Sequence, residues 1–79
     1  MQVTVRLFAA ARELAGSGSL TQDLAEGATM GDLAEALYRA WPCLRAMRLR
    51  FAQNSAYASL PTVLHDGDEV ACIPPVGGG

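Results

Sequence analysis

Polar and apolar residues alternate from the start of the chain. Val3, Val5 and Leu7 fall on one side and Gln2, Thr4 and Arg6 on the other, the period of a half-buried strand. Phe8 breaks the rule: it lies in phase with the polar side, and marks either the edge of the core or an exposed aromatic that a partner covers. Ala9 to Ala15 is helix-prone and is stopped by Gly16-Ser17-Gly18. Ser19 to Leu24 returns as a second strand with Leu20 and Leu24 inward, its apolar side interrupted by Gln22.

Thr29 stands three residues ahead of Asp32, a capping box with a short acid, and opens the main helix. Met30, Leu33, Ala34, Leu37 and Trp41 form one stripe, Asp32, Glu35 and Arg39 face away, and Pro42 ends the pattern. So small a domain needs that stripe for its core, which favours packing on the sheet over a partner groove. The chain then turns through Cys43 to Met47 and enters a strand, Arg48 to Gln53, with Leu49 and Phe51 in and Arg48 and Arg50 out. Asn54-Ser55 suits a turn, Ala56 to Ser59 a short pairing strand carrying Tyr57, and Pro61 a break. Val63 and Leu64 plug the core before the turn Asp66-Gly67-Asp68. Glu69 to Ile73 is apolar on both faces, as expected of a strand inside a sheet. The expected class is α+β, with about five strands and one long helix covering one sheet face.

Length and composition bound the function. Seventy-nine residues form one domain that buries somewhat over about 60% of its unfolded surface. At 51% hydrophobic and 18% charged residues the chain is globular, and no apolar run approaches the roughly 20 residues of a membrane span. The first residues carry no basic, cleavable apolar segment, so the cytoplasm is the expected compartment. A net charge of −2 argues against nucleic acid as a partner. All the basic residues are arginine, which removes lysine chemistry. Cys43 and Cys72 show no Cys-x-x-Cys pattern and read as reduced, partly packed cysteines. The single His65, beside loop carboxylates, reads as a solvated loop histidine, and no metal site is expected.

The last segment, Pro74-Pro75-Val76-Gly77-Gly78-Gly79, is different in kind. Two prolines forbid further ladder donors, and the side chains then disappear, so residues 1–75 form the domain and 76–79 a flexible tail. A Gly-Gly end passes through a slot too narrow for any residue with a Cβ and brings the Gly79 carboxylate to another molecule. From Val76 the extended backbone reaches at most roughly 13–14 Å, enough to enter a pocket while the body stays outside. A carboxylate is inert to substitution at neutral pH, and this chain shows no site that would activate it.

Three stretches coincide with one family. Phe8 to Gly16 resembles its "FA, two residues, RE" signature, Asp66 to Ala71 its "DGDEVA" turn, and Pro74 to Gly79 its "PPV, small residue, GG" end. Together they resemble the MoaD family of molybdopterin synthase small subunits, within the MoaD/ThiS group of ubiquitin-like β-grasp proteins. The resemblance implies a mixed sheet whose first and last strands pair in parallel at its centre. It implies that a MoeB-type adenylating enzyme uses ATP to activate the Gly79 carboxylate, and that a sulfurtransferase donor converts it to a thiocarboxylate. The tail, with Gly78 beside the reacting end, would then enter a MoaE-type large subunit and give sulfur to cyclic pyranopterin monophosphate. No cofactor is expected to stay bound. Phe8, Tyr57, Ile73, Pro75, Val76 and Gly77 are the implied partner-binding residues. Ile73 stands where some relatives carry an aromatic, and Gly77 where Ser or Ala is usual. Arg12-Glu13 reads as a salt bridge or a partner contact, and outward Arg6, Arg48 and Arg50 as a solvated face or as contacts to acidic partner residues. Other readings are a carrier for thiamine or tRNA thiolation, a ubiquitin-like protein modifier, and an interaction module with an inert tail.

Overall fold

A computed structural model describes residues 1–75; the tail residues Val76, Gly77, Gly78 and Gly79 lie outside the described residues. The alternation at the start becomes β1 (Gln2–Leu7), followed by α1 (Ala9–Ala15), β2 (Ser19–Asp23) and α2 (Met30–Ala40). A 3-10 helix (Pro42–Met47) leads to β3 (Arg50–Gln53), β4 (Ala56–Tyr57) and β5 (Glu69–Ile73). The strands make one sheet in the order β2-β1-β5-β3-β4, with β1 and β5 parallel and the other pairs antiparallel. The doubly apolar β5 lies between β1 and β3, and its Val70 and Cys72 are fully buried on the face that α2 covers.

That face joins Val3, Val5, Leu7 and Phe51 to Met30, Leu33, Ala34 and Leu37 of α2. Each fully buried side chain of this size contributes about 1.5–3 kcal/mol. The start of α2 leaves no amide unpaired. Met30 and Gly31 donate to the carbonyls of Thr62 and Leu60 at 2.8 Å, Asp32 donates to the Thr29 hydroxyl at 3.2 Å, and Leu33 donates to the Thr29 carbonyl. In return the Asp32 carboxylate accepts from the Thr29 amide at 2.9 Å, which completes the capping box. Thr29→Ala is therefore expected to cost about 1 kcal/mol. A lowered urea midpoint with an unchanged slope would record it.

Several expectations are corrected. The turn through Cys43 to Met47 is a 3-10 helix opened by Pro42 in its first turn, and its Leu44 is fully buried. Arg48 is not in a strand: it ends the 3-10 helix in the left-handed region at φ 54°, which delays β3 to Arg50 and leaves Leu49 half-buried. Trp41 lies just past the end of α2 in a non-helical conformation, so it borders the buried stripe and is only partly covered. Of the Val63-Leu64 pair only Leu64 enters the core, because consecutive residues of an extended segment point to opposite sides; Val63 remains 47% exposed. Cys43 is exposed, and only Cys72 is packed. Of the two readings of Arg12-Glu13, the ion pair is not formed among the described residues, since neighbours one apart on a helix do not face each other.

The Asp66-Gly67-Asp68 turn reverses the chain, with Gly67 at φ 84°. It also buries a carboxylate. Asp68 accepts from Gln53 Nε2 at 2.8 Å, Asn54 Nδ2 at 2.9 Å and the His65 amide at 2.8 Å. Burial pushes this carboxyl up, and the hydrogen bonds from Gln53, Asn54 and the His65 amide outweigh it, leaving the group below its ordinary 3.8. The network ties β5 to the β3–β4 turn, where Asn54 and Ser55 both take positive φ, 48° and 75°, as a tight two-residue hairpin requires. Among the described residues no helix is long and apolar enough to cross a membrane.

Candidate functional site

Strand register brings the candidate residues to one end of the sheet. Leu7 lies opposite Cys72 and Arg50 opposite Ile73, so the chain leaving β1 at Phe8 meets the end of β5 where Pro74 and Pro75 terminate the ladder. Phe8 has left the strand. It is extended at φ −124° and ψ 154°, occupies the N-cap position of α1, and contributes no side-chain cap. Its carbonyl accepts from the Ala11 and Arg12 amides, while the residue stays 43% exposed. The break in alternation thus marks a turn into α1, whose single buried residue, Ala11, lets the helix lie close against the sheet.

Phe8, Ala9, Ile73 and Pro74 line a shallow apolar recess of about 240 Å³. On the other side of Ile73 and Pro74, a second recess is lined by Arg50, Tyr57 and Pro75 as well. Ala52 pairs with Tyr57, which sets Tyr57, Arg50 and Ile73 on the sheet face away from α2. Tyr57 is 65% exposed, with the Arg50 guanidinium carbon 4.5 Å from its ring centroid. Phe8, Tyr57, Ile73 and Pro75 therefore surround the point where the chain leaves the domain; Val76, Gly77, Gly78 and Gly79 lie beyond the description. Pro74, which the sequence analysis left aside, lines both recesses and a third beside Met47 and Arg48. Its position directly after a central strand was the available signal.

The remaining reactive groups are placed elsewhere. The Cys72 thiol sits in the core, where burial pushes it up to about 12, so it stays protonated and inert at neutral pH. His65 is an exposed loop residue, with Nδ1 3.8 Å from the Asp68 carboxylate. Among the described residues no cluster of His, Cys, Asp and Glu could hold a metal ion.

Comparison with known proteins agrees with this arrangement. The molybdopterin synthase sulfur carrier subunit of Chlamydomonas reinhardtii is 41% identical over 83 residues, covering 100% of both chains. The crystal structure of SAMP1 from Haloferax volcanii superposes with a TM-score of 0.87 at 34% identity, again covering 100% of both. A complex of subunits 1 and 2 of molybdopterin-converting factor from Helicobacter pylori contains a chain matching at TM-score 0.70 and 26% identity, with 100% coverage of each. These neighbours share the ubiquitin-like β-grasp arrangement of one helix on a mixed sheet. The profile of the ThiS family matches residues 5–79, nearly the whole length, and the chain belongs to that family.

Proposed function

We propose that this protein is the sulfur-carrier subunit of molybdopterin synthase, acting in the cytoplasm. The observation that carries the reading is the apolar collar of exposed Phe8 and Pro75 and half-buried Ile73 and Pro74 at the place where a central strand leaves the domain toward a Gly-Gly end. The similarity to sulfur carrier subunits supports the pathway. In this reading a MoeB-type enzyme joins the Gly79 carboxylate to AMP at the expense of ATP, releasing pyrophosphate. The persulfide of a sulfurtransferase donor then attacks the acyl-adenylate and expels AMP, and a thiol reductant cleaves the resulting acyl disulfide to leave a thiocarboxylate. The collar docks on a MoaE-type large subunit, whose own residues catalyse transfer of that sulfur to cyclic pyranopterin monophosphate. The chain itself contributes the reacting terminal group and the docking surface.

Incubation with ATP, the adenylating enzyme and a sulfur source is expected to raise the mass by the difference between sulfur and oxygen, located at Gly79. No gain with a partner set that thiolates another carrier would sink the proposal. The likeness to SAMP1, a small archaeal modifier protein, favours a second reading in which the same activated carboxylate forms isopeptide bonds with lysines of other proteins. Higher-mass conjugates that vanish on deletion of Gly79 would identify it. This chain, having no lysine, offers no side-chain amine for joining to itself.

A further inference from the structure

The six basic residues, all arginine, sit in unequal surroundings. Arg45 reaches Glu35 through a two-pronged contact at 2.8 and 3.4 Å, and Arg6 lies 3.8 Å from Glu69. Arg48 and Arg50 make no ion pair among the described residues. Both line the collar: Arg48 borders the recess with Met47, Pro74 and Pro75, and Arg50 the one with Tyr57 and Ile73. No Asp or Glu lines any of the three recesses at this end. The groove between α2 and the β2–α2 connection is the reverse, carrying Asp23, Glu26, Asp32 and Glu35 with Arg39 alone in opposition. A chain of net charge −2 thus keeps the exit of its tail positive.

Local structure holds the two arginines there. Arg48 occupies the left-handed region at φ 54°, which glycine adopts at lower cost than a residue with a side chain. Arg50 is laid over the Tyr57 ring, which orders its planar guanidinium before any partner arrives.

Resting on the carrier reading above, we infer that Arg48 and Arg50 form a cationic rim that recognises acidic residues bordering the partner's apolar socket. The rim and the collar divide the work. Phe8, Ile73 and the prolines exclude water at the centre, while the arginines steer encounter and set orientation from the edge. The class of partner is therefore an acidic protein surface around an apolar pocket, and its association is sensitive to salt.

The test titrates the large subunit of molybdopterin synthase from the same organism with the wild-type chain and with an Arg48→Gly/Arg50→Gln double variant, at low and physiological salt. Wild-type affinity is expected to fall as salt rises. The double variant is expected to bind about 10-fold more weakly at low salt with a flatter salt dependence, while Arg39→Gln behaves as wild type. Arg48→Gly alone should melt no lower than wild type, because glycine relieves the left-handed backbone; a purely structural Arg48 would give a lower melting temperature and count against the rim. Salt-independent wild-type binding, or a double variant that binds as tightly, overturns the rim and leaves the carrier reading standing. A wild-type chain that does not bind the large subunit overturns both. Salt-sensitive dimerisation of the chain alone, abolished by the double variant, overturns the rim in favour of a second copy docking through its acidic groove.

Discussion

Phe8→Ser is expected to leave the domain folded and to weaken binding of the large subunit about 30- to 1,000-fold, equivalent to about 2–4 kcal/mol. The two halves of that outcome have separate causes. Phe8 is 43% exposed at the N-cap of α1 and adds no cap bond, whereas serine is among the preferred residues there, so the gain of a cap offsets part of the lost packing. On the partner side, the substitution removes the only aromatic of the recess shared with Ala9, Ile73 and Pro74. Aromatic anchors at the centre of an interface dominate binding energy, while rim contacts contribute less. Calorimetric titration beside a melting curve would separate the effects. A variant that binds like wild type would remove Phe8 from the interface, and one that loses both binding and fold would make its role structural.

Asp68→Ala is expected to cost about 2–4 kcal/mol of folding stability, because Asn54 and the His65 amide lose this acceptor and Gln53 Nε2 keeps only the Val63 carbonyl at 3.2 Å. A small domain has about 5–15 kcal/mol in total, so the variant approaches the unfolding threshold at room temperature. Denaturant titration measures the loss, and a change under about 1 kcal/mol would show that water replaces the carboxylate easily. The same group sets a pH dependence. Its folded value lies below 3.8, so its stabilisation is fully present above that value and is lost as pH falls through the lower, folded one. Acid titration of stability should steepen there in the wild type and flatten in Asp68→Asn.

Where one rule decided a segment, the sequence was readable. Strict alternation located β1, Thr29 and Asp32 located the start of α2, and two apolar faces put β5 inside the sheet. The segment from Pro42 to Leu49 was less so, because a 3-10 turn has too short a period and too few residues to imprint a stripe, and Leu44 is its only buried residue. The left-handed Arg48 was hidden for a related reason: nothing in an arginine announces a positive φ, as a glycine would. At the site, Phe8 stood out because it violated the pattern around it. Asp68 did not, since a turn aspartate is ordinary until the partners from Gln53 and Asn54, distant in sequence, are brought against it. Placing Arg50 at the end of β5 likewise needed the register of β3 on β5, and placing Arg48 there needed the 3-10 helix to lie beside Pro74 and Pro75.

The position of β5 has a mechanical consequence. Glu69 to Cys72 pair with Thr4 to Leu7 in parallel, and Val70 to Ile73 with Gln53 to Arg50 antiparallel. A pull on the chain beyond Pro75 runs along the strand and loads both ladders in shear, so many hydrogen bonds share the force. An edge hairpin would instead open one bond at a time. A force applied at this end is thus shared between both ladders of the central strand.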